Sequence, residues 1–190
     1  MSRASLTDLL EALGELFLLP GAFNTACFEA GLKSEWAPGS LREPLQRLLA
    51  APGTGLDILY AGHFLHGFER PTVHLQASAH RTGFLLDPDL VNGLAEIYAM
   101  AGIEPVDAVH PDHLGAMTVL LSVLLKQMQI AEGPRADALE AATRSLVESH
   151  LVPLLVQVKA GLAASSPHDP YRAATEALES CLGICARVLV

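Results

Sequence analysis

The usual signatures of catalysis and nucleotide binding are missing from this 190-residue chain, which has no G-x-G-x-x-G, no P-loop glycine pattern, no G-x-S-x-G elbow, no H-E-x-x-H and no C-x-x-C. With no nucleophile set beside a base, the expectation is a protein that is not an enzyme, with no catalytic residues and no cofactor of its own. Cysteine is scarce as well. Three thiols cannot complete an intramolecular disulfide set, and Cys181 and Cys185 lie four apart on what reads as one helix, so they are expected as small core residues in a reducing compartment. Asp8, Glu11 and Glu15 stand among the leucines at the N-terminus, which excludes a signal-peptide apolar region and points to a cytoplasmic location. The most apolar stretch, Leu114 to Leu125, is closed by Lys126 well short of the ~20 residues that span a bilayer, so no stable membrane insertion is expected. Cations are few. Twelve Lys and Arg against 21 Asp and Glu leave a formal net charge of -9, a field that repels phosphate backbones and makes nucleic acid an unsuitable partner.

What is present is apolar and helical. Hydrophobic residues make up 51% of the chain and charged residues 17%, enough for one large core, and the expected organisation is a single domain over residues 1–190. Helix periodicity and caps account for most of the sequence, while alternating strand patterns are almost absent, so the fold class is all-α, a helical bundle. Ser5 with Asp8, Ser40 with Glu43 and Thr54 with Asp57 each pair a hydroxyl with an acid three residues on, predicting helix starts near 5, 40 and 54. Asp87-Pro88 and Asp169-Pro170 predict two more, each with a capping carboxylate before a proline at the first helical position. A second helix is expected from Ala22 to Leu32 and a long apolar one from Pro111 to about Ala131. Two further helices are expected between Pro134 and Ala164, parted at Pro153. Gly67 to Gly83 reads as a long loop with one helical turn.

Charge is unevenly placed. From Thr82 to Leu125 there is no Lys or Arg, yet Asp87, Asp89, Glu96, Glu104, Asp107 and Asp112 fall there. A solvated acidic face with capping residues explains Asp87 and Asp89. Glu104, Asp107 and Asp112 lie in the loop Gly102 to His110 and at the mouth of the apolar helix, where side chains can converge on a ligand. Asp112 and His113, after Pro111, are expected to open that helix. Asp112 then reads either as a plain helix-start acid or as a carboxylate that accepts a fork of hydrogen bonds from a guanidinium, with His113 holding it or lining the site. Tyr60 and Phe64 are four apart on one helix face and read first as core or groove wall, second as direct contacts to a bound peptide.

Eight histidines include two pairs at i, i+3 spacing, His63/His66 and His110/His113. Either pair could share a helix face and hold a divalent ion, with Asp112 or Glu69 completing the shell, which gives the alternative reading of a small helical metal-binding or sensor protein. Because no established metal motif accompanies the pairs, the leading expectation is no metal.

Several of these residues also follow a family pattern. Tyr60-Ala-Gly-His-Phe64, His66-Gly67, Arg70-Pro71-Thr-Val73 and Ser78 run into Gly83, Leu94, Tyr98 and Ala101-Gly102, then Glu104-Pro105 and Pro111-Asp112-His113-Leu114-Gly115. Ser149-His150-Leu151, Pro153-Leu154 and Pro170-Tyr171-Arg172 follow. From about residue 56 to 180 the chain resembles the TorD/DmsD/NarJ family of cytoplasmic redox-enzyme maturation chaperones. The resemblance implies an all-helical chaperone that binds the twin-arginine leader, or another segment, of a molybdopterin oxidoreductase catalytic subunit. Export would then wait for insertion of the bis-molybdopterin guanine dinucleotide cofactor. It also implies a peptide site built from Asp112, His113, Glu104, Asp107, Pro111, Tyr60 and Phe64, in a monomer or homodimer. A leader of this kind carries two arginines beside an apolar run, and an acidic loop beside an apolar helix is its physical complement.

Overall fold

Ser5 begins the first helix as its sequence predicts: its Oγ accepts from the Asp8 amide and the Asp8 carboxyl accepts from the Ser5 amide, a reciprocal box that starts α1, Leu6–Leu18. The computed structural model describes residues 5–19, 23–51, 55–65, 73–83, 86–105 and 109–189. Then come α2 Thr25–Leu32, α3 Gly39–Ala50, α4 Leu56–Tyr60, α5 Ala77–Thr82, α6 Pro88–Ala101, α7 Leu114–Met128, α8 Pro134–Ser145, α9 Val152–Gly161 and α10 Pro170–Val188. Among the described residues there is no β-strand, and the only extended pairing is one isolated antiparallel bridge between Gln76 and His113. The class is all-α.

Three local expectations change. The Ser40/Glu43 box is not formed: α3 starts at Gly39 after Pro38, with no side-chain cap, because Ser40 already lies inside the first turn. The helix expected near 54 starts at Leu56 behind Gly55, whose φ of 92° is the left-handed conformation that glycine tolerates; Thr54 lies outside the described residues. The apolar helix α7 starts at Leu114 and not at Pro111, with His113 as its cap. The Asp87-Pro88 and Asp169-Pro170 starts form as expected, each aspartate accepting from the two amides that follow its proline.

Pro153 widens its helix instead of ending it. A proline in a helix removes one amide donor and its ring presses on the preceding turn. Here residues Leu146–Leu151 form a π-helical stretch, in which the Val152 amide reaches back to the Val147 carbonyl, and α8, this stretch and α9 run on without a break. The two helices expected between 134 and 164 are therefore one continuous run. By length and composition alone, that run, Pro134–Ala164, is apolar enough to cross a membrane, with a mean hydropathy of 1.2 in its most apolar window. A bundle helix meets the same criterion, and this one packs on α7 and α10.

The core runs unbroken through the bundle. Leu9, Leu10, Leu13, Leu16 and Phe17 of α1 are fully buried, as are Leu114, Met117, Leu121 and Leu124 of α7. These two helices pack along most of their length, and α10 packs on α3, where Arg47 pairs with Glu176 and Ser180 Oγ donates to the Ser40 carbonyl at 2.8 Å. Cys181 and Cys185 are free and buried, as expected of core residues. Where α1 crosses α7, Gly14 faces Gly115 so closely that a Cβ at Gly115 would lie 2.6 Å from the Gly14 carbonyl oxygen. A Cβ at Gly14 would lie 2.9 Å from the Gly115 carbonyl oxygen. Backbone carbonyls obstruct at both positions, beside Val119 Cγ2 at Gly14 and Leu18 Cγ at Gly115, so a methyl group at either position pushes the helices apart.

This contact yields a contrast in sign. Gly115→Ala should lower stability by about 1 to 3 kcal/mol, the usual magnitude for an overpacked contact. Gly93→Ala, in the middle of α6 where an added Cβ meets nothing within 4 Å, should raise it by about 0.5 to 1 kcal/mol through helix propensity alone. Urea denaturation of the two variants checks both signs.

Candidate functional site

The sequence places Asp112 between the loop after α6 and the start of α7, and the structure turns its carboxyl away from α7. Asp112 is fully buried, and its Oδ2 accepts from the Ser78 amide at 2.7 Å, at the N-terminal turn of α5. Around this bond the backbones pair: the Ala77 amide donates to the Asp112 carbonyl at 3.1 Å and the Leu114 amide to the Leu75 carbonyl at 2.8 Å. Ser78 extends the link, its Oγ accepting from the Asp87 amide at 2.8 Å, while Asp87 caps α6 and lies 3.4 Å from the Arg81 guanidinium. One carboxyl thus ties the loop before α7 to α5 and, through Ser78, to the start of α6. The expectation that Asp112 sits in the first turn of the apolar helix is corrected: it precedes the cap and serves a different helix. Its second oxygen, Oδ1, is buried and has no partner among the described residues.

His113 takes the capping role. Its Nδ1 accepts from the Gly115 amide at 3.1 Å, so the ring is neutral with its proton on Nε2. Burial pushes its pKa down to about 4, against the opposing charge of Asp112 and with a smaller push from His110. Tyr98 of α6 closes the other side, its hydroxyl donating to the Pro111 carbonyl at 3.1 Å, and burial next to Asp112 raises its pKa well above the usual range. Glu104 is exposed just beyond the left-handed Gly102 that ends α6. Asp107 lies outside the described residues.

Tyr60 and Phe64 stand elsewhere. Phe64 is buried, packing edge-on against Tyr171 at a centroid distance of 5.2 Å and against Phe17 at 6.4 Å. Tyr60 is half-buried beside it at 5.1 Å and donates its hydroxyl to the Phe17 carbonyl. Residues Ala61–Leu65 form a second π-helical stretch, and the Val73 amide donates to the His63 carbonyl at 2.9 Å. The segment from Val73 to Ser78 therefore joins the two groups of candidate residues, touching the aromatic cluster at one end and Asp112 at the other. No hydrogen bond or ring contact joins Tyr60 or Phe64 to Asp112 or His113 directly among the described residues. Ser78 belongs to the family pattern but not to the candidate site residues, since a serine gives no sign that its amide will meet a carboxyl 34 positions away.

Among the described residues the histidines of the two pairs have other partners or neighbours. His63 Nε2 lies 2.6 Å from Asp169 Oδ2, the same aspartate that caps α10, while His66 lies outside the described residues. His113 spends Nδ1 on its cap. No group of three or more His, Cys, Asp or Glu side chains positioned for a metal occurs among the described residues.

A family model for the nitrate reductase delta subunit matches residues 29–158, from α2 into α9, more than half of the chain. The chain belongs to that family, whose NarJ- and TorD-like members are chaperones of molybdoenzyme maturation and not catalysts. No curated protein and no solved structure matches the chain.

Two expectations concern stability. Phe64→Ala should cost about 3 to 5 kcal/mol, the range for deleting a buried aromatic ring, read as a lowered urea midpoint. His113 is neutral in the fold and gains a proton more easily when unfolded, so its contribution is fully present above its ordinary pKa of about 6.5. It is lost progressively as the pH falls toward 4, reaching about 3 kcal/mol. His113→Asn keeps a capping oxygen without the titration, and between pH 6.5 and 4 its stability should fall less steeply than wild type by about one proton's worth.

Proposed function

We propose that the chain acts as a cytoplasmic chaperone for a molybdopterin oxidoreductase. It binds the twin-arginine leader of the catalytic subunit, or another client segment, until the molybdenum cofactor is inserted. Family membership over residues 29–158 carries the class of function. The acid-only stretch from Thr82 to Leu125 carries the placement of the site. Guanidinium groups meet Glu104 at the surface and Asp107 in the same loop, with Pro111, Asp112 and His113 behind them and the apolar part of the peptide along the bundle toward Tyr60 and Phe64. The unpartnered Oδ1 of Asp112 supports this reading, because a buried carboxyl oxygen without a donor is costly and a guanidinium satisfies it. Glu104, exposed, and Asp107 then serve as first contacts, and the buried Asp112 as the deeper one.

The test is calorimetry with a synthetic twin-arginine leader peptide and its twin-lysine version, at low and moderate salt, on wild type, Glu104→Gln and Asp112→Asn. The arginine peptide should bind more tightly. Asp112→Asn keeps an acceptor for the Ser78 amide and should cost about 2 to 5 kcal/mol of binding, as for a desolvated charge pair, while the exposed Glu104→Gln should cost much less and be more sensitive to salt. If the lysine peptide binds equally well and neither substitution matters, this loop does not read the arginines.

A further inference from the structure

Two carboxylates meet on Ser78, and each has one oxygen that the fold leaves short of a hydrogen bond. Asp112 is fully buried; its Oδ2 accepts from the Ser78 amide at 2.7 Å, while its Oδ1 has no partner among the described residues. Asp87, 6% exposed, is tied to the same serine, its amide donating to Ser78 Oγ at 2.8 Å. The Asp87 Oδ1 accepts from the Asp89 and Leu90 amides, which leaves Oδ2 to Arg81. That contact is an ion pair through Arg81 Nε at 3.4 Å, longer than a good hydrogen bond.

The partner of Asp87 is a surface group. The Arg81 side chain is 59% exposed and stands near the end of the six-residue helix α5, so the pair can open by rotation of that side chain alone, with the core unchanged. Burial, and after it the charge of Arg81, push the pKa of His150 down, so the guanidinium lies near that ring as well. An exposed pair of this kind is weak. A guanidinium that arrives without the tether of α5 is free to set a shorter, better directed bond to the same oxygen. Leu86, next to Asp87 in the chain, is 54% exposed and offers apolar surface beside it.

We propose that Asp87 and Asp112 are the two acids that read the paired arginines of the leader, and that Arg81 holds the place at Asp87 until a client arginine displaces it. The proposal deepens the reading of the acidic stretch as the arginine site and rests on it. It assigns one buried carboxylate to each arginine, leaves Glu104 and Asp107 as outer contacts, and makes Arg81 an internal competitor. A peptide with a single arginine then satisfies Asp112 and leaves Arg81 where it is, so the competitor selects for the pair.

Calorimetry on the full chain compares a synthetic leader carrying Arg-Arg with versions carrying Arg-Lys, Lys-Arg and Lys-Lys. The proteins are wild type, Arg81→Gln, Asp87→Asn and the double variant. Arg81→Gln removes the competitor at an exposed position and should tighten the Arg-Arg peptide about threefold, the scale of an exposed ion pair. Asp87→Asn keeps the cap of α6, since asparagine caps as well as aspartate, and should weaken the same peptide by a similar factor. In the double variant the gain from Arg81→Gln should vanish, because no carboxylate remains there for the client to claim. The Nε–H NMR signal of Arg81 in wild type should shift as the Arg-Arg peptide binds and stay in place with the Lys-Lys peptide.

A gain that persists in the double variant reports only the loss of a nearby positive charge and overturns the proposal. So does an Arg81 signal that is unmoved at saturation with the Arg-Arg peptide. A preference for arginine over lysine that is equal in all four proteins counts against this assignment alone and leaves the acidic-loop site standing. Arg-Arg and Lys-Lys peptides that bind alike to every protein overturn the proposed function, and this inference with it.

Discussion

Four consecutive residues, Asp112 to Gly115, have to satisfy three neighbouring elements at once. The Asp112 carboxyl holds the start of α5, the His113 ring closes the start of α7, and Gly115 has no side chain, so α1 can lie against α7 at Gly14. Each demand restricts the other two. Were Asp112 to cap α7 itself, in the usual manner of an aspartate before an apolar helix, α5 would lose its anchor. Histidine caps in its place, which is possible only while the ring is neutral, and burial keeps it so. A buried acid and a buried neutral histidine side by side are the consequence of packing three elements onto one short turn.

This arrangement surrounds Asp112 and His113 with hydrogen bonds to neighbouring elements. The loop between Gly102 and His110 is anchored at one end by the left-handed Gly102 and the Tyr98 hydroxyl bond to Pro111, and at the other by the bridge between Gln76 and His113. The Tyr98 bond to the Pro111 carbonyl links the end of α6 to the residues just before α7. The segment Val73 to Ser78 extends these links to the aromatic cluster of Phe17, Tyr60, Phe64 and Tyr171. Two π-helical stretches, Ala61–Leu65 and Leu146–Leu151, lie at the borders of this region, one beside the aromatic cluster and the other opposite α5. Wide turns of this kind re-aim side chains within a continuous helix, as His63 and His150 are here.

Local chemistry was enough to read much of the fold from sequence. Ser5 with Asp8, Asp87 with Pro88 and Asp169 with Pro170 start helices because the cap and the amides it satisfies lie within four residues of each other, and helix periodicity marks which faces are buried. The same reasoning failed at Ser40, where a matching pattern lies one residue inside the helix, and at Pro153, where a widened turn absorbed the proline. Phe64 was legible as core for the same local reason. What tertiary structure alone decided is the fate of Asp112, of His63 and of His150. Asp112 meets Ser78 across 34 residues and His63 meets Asp169 across 106, distances over which no periodicity or motif carries information. The sequence by itself determined that this is an all-helical acidic chain with an Asp-His pair before its most apolar helix. Only the packing of α1, α5 and α7 determined that the acid would be buried under one helix while the histidine capped another, since both had to be satisfied in a space that excludes water.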